Sequence, residues 1–326
     1  IYLLEKREEA AVNYAVTEPT IKVVENALSY GGAISPNSKS VYTKAVIAGL
    51  GIPFALIYLI FLLDTKLKNR ENIEVVTNKI PVVGELPEAD KKNQLICLNR
   101  NDSSSHAEAY RMMIYKLNYT LPVKETRKGN VIYATSSIKG EGKTYVSLNL
   151  SLALSSLNKK VLLIGADLRN PQIHNYLGFN KTQEGLTNYL YDKEFDWKKS
   201  LVKGFEQYPN HDILFSGSIP PNPASLLTNG RLEKLLDEAK EKYDYIILDL
   251  APTILVSDTM LTASLADVTA YVTRANFTEK KLLDYAKELS DTGKIKNMVF
   301  VINGLSKKSN GYGYGYNYGY GYGYGA

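Results

Sequence analysis

The stretch Ser-Ile-Lys-Gly-Glu-Gly-Lys-Thr at 137–144 places two glycines, a lysine and a hydroxyl at the spacing of a phosphate cradle. Gly140 and Gly142 let the backbone curl until successive N–H groups point at phosphate oxygens. Lys143 would reach the β- and γ-phosphates of ATP, and Thr144 would set its hydroxyl on Mg²⁺. The pattern G-x-x-x-x-G-K-[ST] is met except at its first position, where Ser137 stands. An apolar run, NVIYAT, precedes it and a helical pattern, YVSLNLSLALSS, follows, so a helix N-terminus adds favourable charge at the same spot. Ser137, Gly140, Glu141, Gly142, Lys143 and Thr144 are therefore the expected ATP-binding residues. The plain alternative is a chance match in an ordinary loop, and the strand–loop–helix context counts against it.

Two acidic sites follow at strand ends. YDYIILDLAP puts Asp249 at the C-terminal tip of an apolar strand, where a carboxylate can hold Mg²⁺ or its water. VLLIGADLRNP puts Asp167 and Arg169 just past another strand, and Asp167 is a second magnesium-directed candidate. Lys143, Asp167 and Asp249 form the candidate catalytic set; Thr144, Asp167 and Asp249 form the candidate metal set. Asp249 as a helix cap and Asp167 as a solvated turn residue are the structural alternatives. His106, His174 and His211 show no metal spacing and are expected at the surface.

The elements that must position these groups alternate. Apolar β-like runs (NVIYAT, KKVLLIG, DILF, YDYIILDL, TAYVT, MVFVIN) are interleaved with helical patterns after Lys143, Arg231, Ser257 and Thr278. Such alternation predicts an α/β fold, a mostly parallel sheet with helices on both faces. A further helix is predicted over 106–119, with Tyr110, Met113, Ile114 and Leu117 on one face. Ala45 to Leu63 contains no charged residue and is long enough to span a membrane; a buried core helix is the alternative. Lys66, Lys68 and Arg70 follow it, while only Lys44 sits directly before it. That bias places the C-terminal side in the cytoplasm.

The expected organisation is 1–43 outside the cytoplasm, a transmembrane helix at 44–64, a juxtamembrane linker with one strand at 65–105, a P-loop domain at 106–309 and an unstructured tail at 310–326. Ile1 opens the chain inside a charged helical pattern, which reads as a fragment or mature chain lacking its N-terminal portion. The net charge of +5 is not gathered into a stripe, so no nucleic-acid partner is expected. A single cysteine, Cys97, excludes an intramolecular disulfide framework and is expected as a buried strand residue.

Taken in order, these motifs resemble the bacterial tyrosine kinases of capsule and exopolysaccharide export, the polysaccharide biosynthesis tyrosine autokinases. EAYRMM resembles that family's E-x-x-R-x-x-R helix, SGSIPPNPASLL its Pro-Pro-Asn-Pro segment and DLAPTILVSDT its second acidic stretch. ISPN before the span resembles the end of a Wzz-type chain-length-determinant domain. The resemblance implies a deviant Walker P-loop fold of the MinD and ParA type, with ATP and Mg²⁺ as cofactors. It also implies an inner-membrane location, a ring-like homo-oligomer held partly by Glu108 and Arg111, and Asn303 near the base. The implied partners are the polysaccharide polymerisation and export machinery and a protein-tyrosine phosphatase. Tyr312, Tyr314, Tyr316, Tyr318, Tyr320, Tyr322 and Tyr324 would be phosphate acceptors for a neighbouring subunit; an unmodified flexible tail is the alternative.

The chain departs from the family at three places. Gly165 stands where the family carries the first Asp of its second Walker motif, a carboxylate implied to act directly in phosphoryl transfer. Ile114 replaces the last Arg of the ring-forming helix. Lys139 lies one position from the MinD signature lysine, which Ile138 replaces, and no role is assigned to it. An active autokinase and an ATP-binding scaffold disabled by Gly165 both remain open. A cargo-positioning ATPase of the MinD or ParA kind is a third reading, which the span and the tyrosines argue against.

Overall fold

The computed structural model describes residues 1–16, 31, 35–77, 79–89, 95, 102, 104–122, 128–179 and 183–306. Cys97 and the seven tail tyrosines lie outside the described residues. The chain divides into two units, Ile1–Asp64 and Thr65–Ala326.

In the first unit, α1 (Tyr2–Val16) has no buried residue. α2 (Ser38–Leu63) runs for 26 residues; Asn37 caps it by accepting the Lys39 N–H, and Pro53 lies inside it. At 1.5 Å per residue this is about 39 Å, more than a hydrocarbon core requires. Its mean hydropathy is 2.6 and none of it is buried. α2 is thus long and apolar enough to cross a membrane, and it is not the core helix that was the alternative.

The second unit is built on an eight-stranded sheet. The elements follow in chain order: α3 (Arg70–Thr77), β1 (Val82–Pro87), α4 (Ser105–Thr120), β2 (Asn130–Ser136), α5 (Lys143–Ser156) and β3 (Val161–Gly165). Next come α6 (Ile173–Leu177), α7 (Leu186–Tyr191), β4 (Val202–Lys203), β5 (His211–Leu214), α8 (Pro223–Leu227), α9 (Arg231–Lys242) and β6 (Tyr245–Asp249). α10 (Asp258–Thr262), β7 (Val268–Arg274), α11 (Lys281–Asp291) and β8 (Met298–Leu305) complete it. The strand order is β1-β8-β7-β2-β6-β3-β5-β4. Every pairing is parallel except β4 with β5.

Central strands are buried on both faces, which is why they read as continuous apolar runs rather than alternating ones. Alternate residues feed opposite cores. Ile132, Ile247, Val272 and Val301 join α4 and α5 on one face. On the other, Tyr133, Leu162 and Leu248 meet α7 to α9, while Tyr271 and Phe300 meet α3 and α11. α9 buries Leu232, Leu235, Leu236 and Ala239, the stripe expected of a helix with one covered side. α5 is buried from Lys143 to Ser155, because α4 covers what would be its outer side.

Two expectations change. The stretch 65–105, read as a linker with one strand, supplies that strand as β1, paired in parallel with β8 inside the sheet. It also carries Leu67 and Ile73, both fully buried against α11. Two of the three histidines are not surface residues: His211 and His174 are buried, while His106 stays partly exposed with its ring on the Glu88 carbonyl. His211 opens β5 and faces α5, where its Nε2 lies 2.8 Å from Ser151 Oγ, a partner no local spacing reveals.

Candidate functional site

The loop between β2 and α5 turns at two left-handed glycines, Gly140 (φ 96°) and Gly142 (φ 95°). A Cβ on Gly142 would lie 2.1 Å from Asn303 Nδ2, so a side chain there would displace the Asn303 amide, and the positive φ itself favours glycine. Asn303, the register partner of Arg274 at the C-terminal end of β8, donates that Nδ2–H to the Glu141 carbonyl, 3.0 Å away. The rest of the loop is anchored from below. The Thr253 and Ile254 N–H groups donate to the Ser136 and Ser137 carbonyls, at 2.9 and 3.2 Å.

α5 begins at Lys143 and carries it, nine-tenths buried, between two acids from neighbouring strands. Its Nζ lies 2.8 Å from Asp167 Oδ2 and 3.5 Å from Asp249 Oδ1. Thr144 donates its hydroxyl to Asp249 Oδ2 at 2.7 Å. The Asp167 Oδ1 accepts the Asn170 N–H, which fixes the carboxylate at the mouth of β3. Burial opposes the charge on Lys143, yet Asp249 and Asp167 together outweigh it and hold the ammonium above the usual lysine value. For Asp249 burial is the larger influence and pushes its carboxyl up, only partly offset by Lys143 and Thr144.

Above these groups opens a cavity of about 670 Å³, enough for a small-molecule ligand. Gly140, Lys143, Thr144, Asp167 and Asn303 line it; Asp249 sits beneath, hidden from it. Arg169 is also on the wall, its guanidinium held by both Asp258 oxygens at 2.8 and 3.1 Å.

The structure thus brings Lys143, Thr144, Asp167, Asp249 and Asn303 together, and Asp167, at 3% exposure, is no solvated turn residue. Two expected ATP-binding side chains turn away. Ser137 Oγ hydrogen-bonds Tyr271 OH at 3.0 Å, and Glu141 is buried with its carboxylate on Ile138 N–H and Thr278 Oγ1. Neither residue lines the cavity. Glu108 and Arg111 do not line the cavity; they pair with each other on α4 at 2.9 Å, and Arg111 also donates to the Asp102 carbonyl. Gly165 ends β3 in register with Asp249.

Tyr176, Arg274 and Gly304 are among the cavity residues missed in the sequence. Arg274 ends an apolar strand, the same signal that marked Asp249, and could have been found by it. Tyr176 sits in a five-residue helix too short to show periodicity.

The donor set suits a magnesium ion held between protein and phosphate. Asp249 Oδ1 is buried beside the Thr144 hydroxyl with no close hydrogen bond among the described residues, and it faces the Lys143 ammonium at 3.5 Å. No group of three or more metal-binding His, Cys, Asp or Glu side chains occurs among the described residues. One hydroxyl and one carboxylate are protein ligands of the kind Mg²⁺ takes when phosphate oxygens and water complete its shell.

Residues 129–292 match the family described as AAA domain. The tyrosine-protein kinase YwqD of Bacillus subtilis (strain 168) is 36% identical over 211 residues, covering 63% of this chain and 85% of that protein. The tyrosine-protein kinase wzc of Salmonella typhimurium is 26% identical over 327 residues and 95% of this chain. This chain spans only 44% of that relative's length. Among solved structures, the kinase domain of the Escherichia coli tyrosine kinase ETK superposes with a TM-score of 0.64 at 26% identity. It covers 74% of this chain and 96% of its own.

Proposed function

The chain belongs to the bacterial tyrosine-kinase family, and on that premise we propose that it is a membrane-anchored protein-tyrosine autokinase. It binds Mg-ATP in the cavity over Ser137–Thr144 and transfers the γ-phosphate to tail tyrosines, Tyr312 to Tyr324, of a neighbouring copy. The observation that carries this reading is Lys143, buried between Asp167 and Asp249 directly under the cavity.

The residues divide the work by position. The loop's N–H groups and Lys143 hold the phosphates and take up charge as it moves to the leaving oxygen. Thr144 and Asp249, with Asp167, would hold a magnesium ion, which would neutralise phosphate charge when bound. Asp167, and not Asp249, lines the cavity, which supports Asp167 as the group that receives the phenolic proton as the new O–P bond forms and ADP leaves. Asn303 and Gly304 wall the side of the cavity assigned to the base. Each tyrosine modified adds roughly −1.5 to −2 charges, and seven would add on the order of −10 to −14. Against a chain charge of +5, this is a route by which modification loosens a ring of copies. α2 anchors the chain in the inner membrane with the kinase unit in the cytoplasm. There it meets the polysaccharide polymerisation and export machinery and a phosphatase that resets the tail.

A second reading rests on Gly165. With no carboxylate at the end of β3, the same site binds ATP but transfers phosphate poorly, and the protein serves as a nucleotide-bound scaffold. A phosphotyrosine immunoblot of the full chain beside Lys143→Met, run with ATP-binding measurements, separates the two. Signal in the wild type and none in Lys143→Met is the expected result. No signal in either, with ATP binding intact in the wild type, rejects the autokinase.

A further inference from the structure

The turn joining β7 to α11 grips the phosphate loop from outside the cavity. Glu141 is fully buried and its side chain does not line the cavity. Its Oε2 accepts the Ile138 N–H at 2.8 Å, three residues back along the loop. Its Oε1 accepts the Thr278 hydroxyl, and the same Thr278 oxygen accepts the Arg274 N–H at 2.9 Å, closing the turn on itself. Arg274 reaches back to the loop as well, its Nη1 donating to the Gly140 carbonyl at 3.2 Å. Phe277 fills the space beside Gly140, where an added Cβ would meet its ring at 3.1 Å. The turn is held in turn from its far side. The Leu67 N–H donates to the Thr278 carbonyl at 2.8 Å, and the Asn276 N–H to the Leu67 carbonyl at 2.7 Å.

Residues 138 and 141 of the loop are thus joined to Thr278 through a single buried carboxylate, and residue 140 is tied separately to Arg274. A phosphate cradle depends on where its N–H groups point, and two left-handed glycines alone leave those directions free to drift. The geometry points to Thr278 as a positioning residue that, through Glu141, sets the loop for the phosphates of a nucleoside triphosphate. This rests on the ATP-binding reading above.

The test uses the full chain in detergent micelles and a fluorescent ATP analogue with Mg²⁺. Thr278→Val keeps the volume and removes the hydroxyl; its dissociation constant should rise about tenfold, the usual consequence of losing a hydrogen bond to a charged group. Thr278→Ser should restore affinity to within about twofold of wild type. Thermal unfolding of each variant without nucleotide separates a misplaced loop from a partly unfolded protein. Wild-type affinity in Thr278→Val, no rescue by Thr278→Ser, or a loss that tracks the unfolded fraction would each overturn the positioning role. Failure of the wild type itself to bind more than Lys143→Met overturns the ATP reading and this inference with it. A wild type that binds beside an unaffected Thr278→Val overturns this inference alone.

Discussion

Gly165 leaves the end of β3 without a carboxylate. It pairs in register with Asp249, so a side chain there would project on the same side of the sheet as the buried acid. Little room is left: a Cβ would lie 2.6 Å from Ser216 Oγ and 3.0 Å from Ser216 N. The hydroxyl can rotate away, whereas the backbone must give by a few tenths of an ångström. Gly165→Asp is therefore expected to cost stability while supplying the missing carboxylate, and Gly165→Asp with Ser216→Ala should relieve the closer contact. If chemistry is limited by that acid, the phosphotyrosine signal should rise by on the order of 10² in either variant, and Lys143→Met should erase the gain. Unchanged signal in both, with nucleotide still bound, shows that Gly165 is not what limits transfer. The groups that meet here were legible for a local reason: glycines, lysine and hydroxyl sit within eight residues, and each acid ends an apolar run. What the side chains of Ser137 and Glu141 do was not legible. Their partners, Tyr271 and Thr278, lie more than 130 residues away in the chain and are brought near only by the sheet.

Among elements, the strands of the sheet's centre were readable because burial on both faces makes them apolar throughout. β1 was visible as an apolar run, but its place was not, since its partner β8 comes more than 200 residues later. α6, α7 and α8 span one to two turns and carry no periodic signal, and β4 has only two residues. α4 shows how an element's face constrains a resemblance. Its apolar stripe, Tyr110, Met113, Ile114 and Leu117, is buried as its spacing predicts, and this puts Ile114 at 4% exposure in the core. Arginine at this position, as the family's ring-forming helix carries it, would place an unpaired charge against β1 and α5. Ile114→Arg is expected to destabilise by about 3 kcal/mol, while Ile114→Leu should stay within about 1.5 kcal/mol. Urea unfolding of the full chain measures both. An unchanged midpoint for Ile114→Arg, accompanied by tighter self-association, would instead make position 114 an interface residue.

At the scale of the molecule, the parallel sheet separates chemistry from stability. Its C-terminal edge gathers the phosphate loop, Asp167, Asp249 and Asn303, while the first residue of β5, His211, lies at the opposite edge. Burial pulls the His211 imidazole down from 6.5 to about 4; Asp212 opposes this, and Lys203 adds to it. Between those values the unfolded chain takes up a proton that the folded chain refuses. Stability therefore falls as pH drops from 6.5 toward about 4, is unaffected by this group above 6.5, and levels off below about 4. At ~1.4 kcal/mol per unit, His211 should withdraw about 2 kcal/mol between pH 7.5 and 5.0. His211→Gln can keep the hydrogen bond to Ser151 yet does not titrate, so it should lose about 2 kcal/mol less over the same interval. Carboxylates add their own slope to both proteins, which is why the difference between wild type and variant, and not either curve alone, carries the result. Urea midpoints at the two pH values supply it. Equal losses in the two proteins would show that water reaches the His211 ring and that burial does not hold its imidazole down.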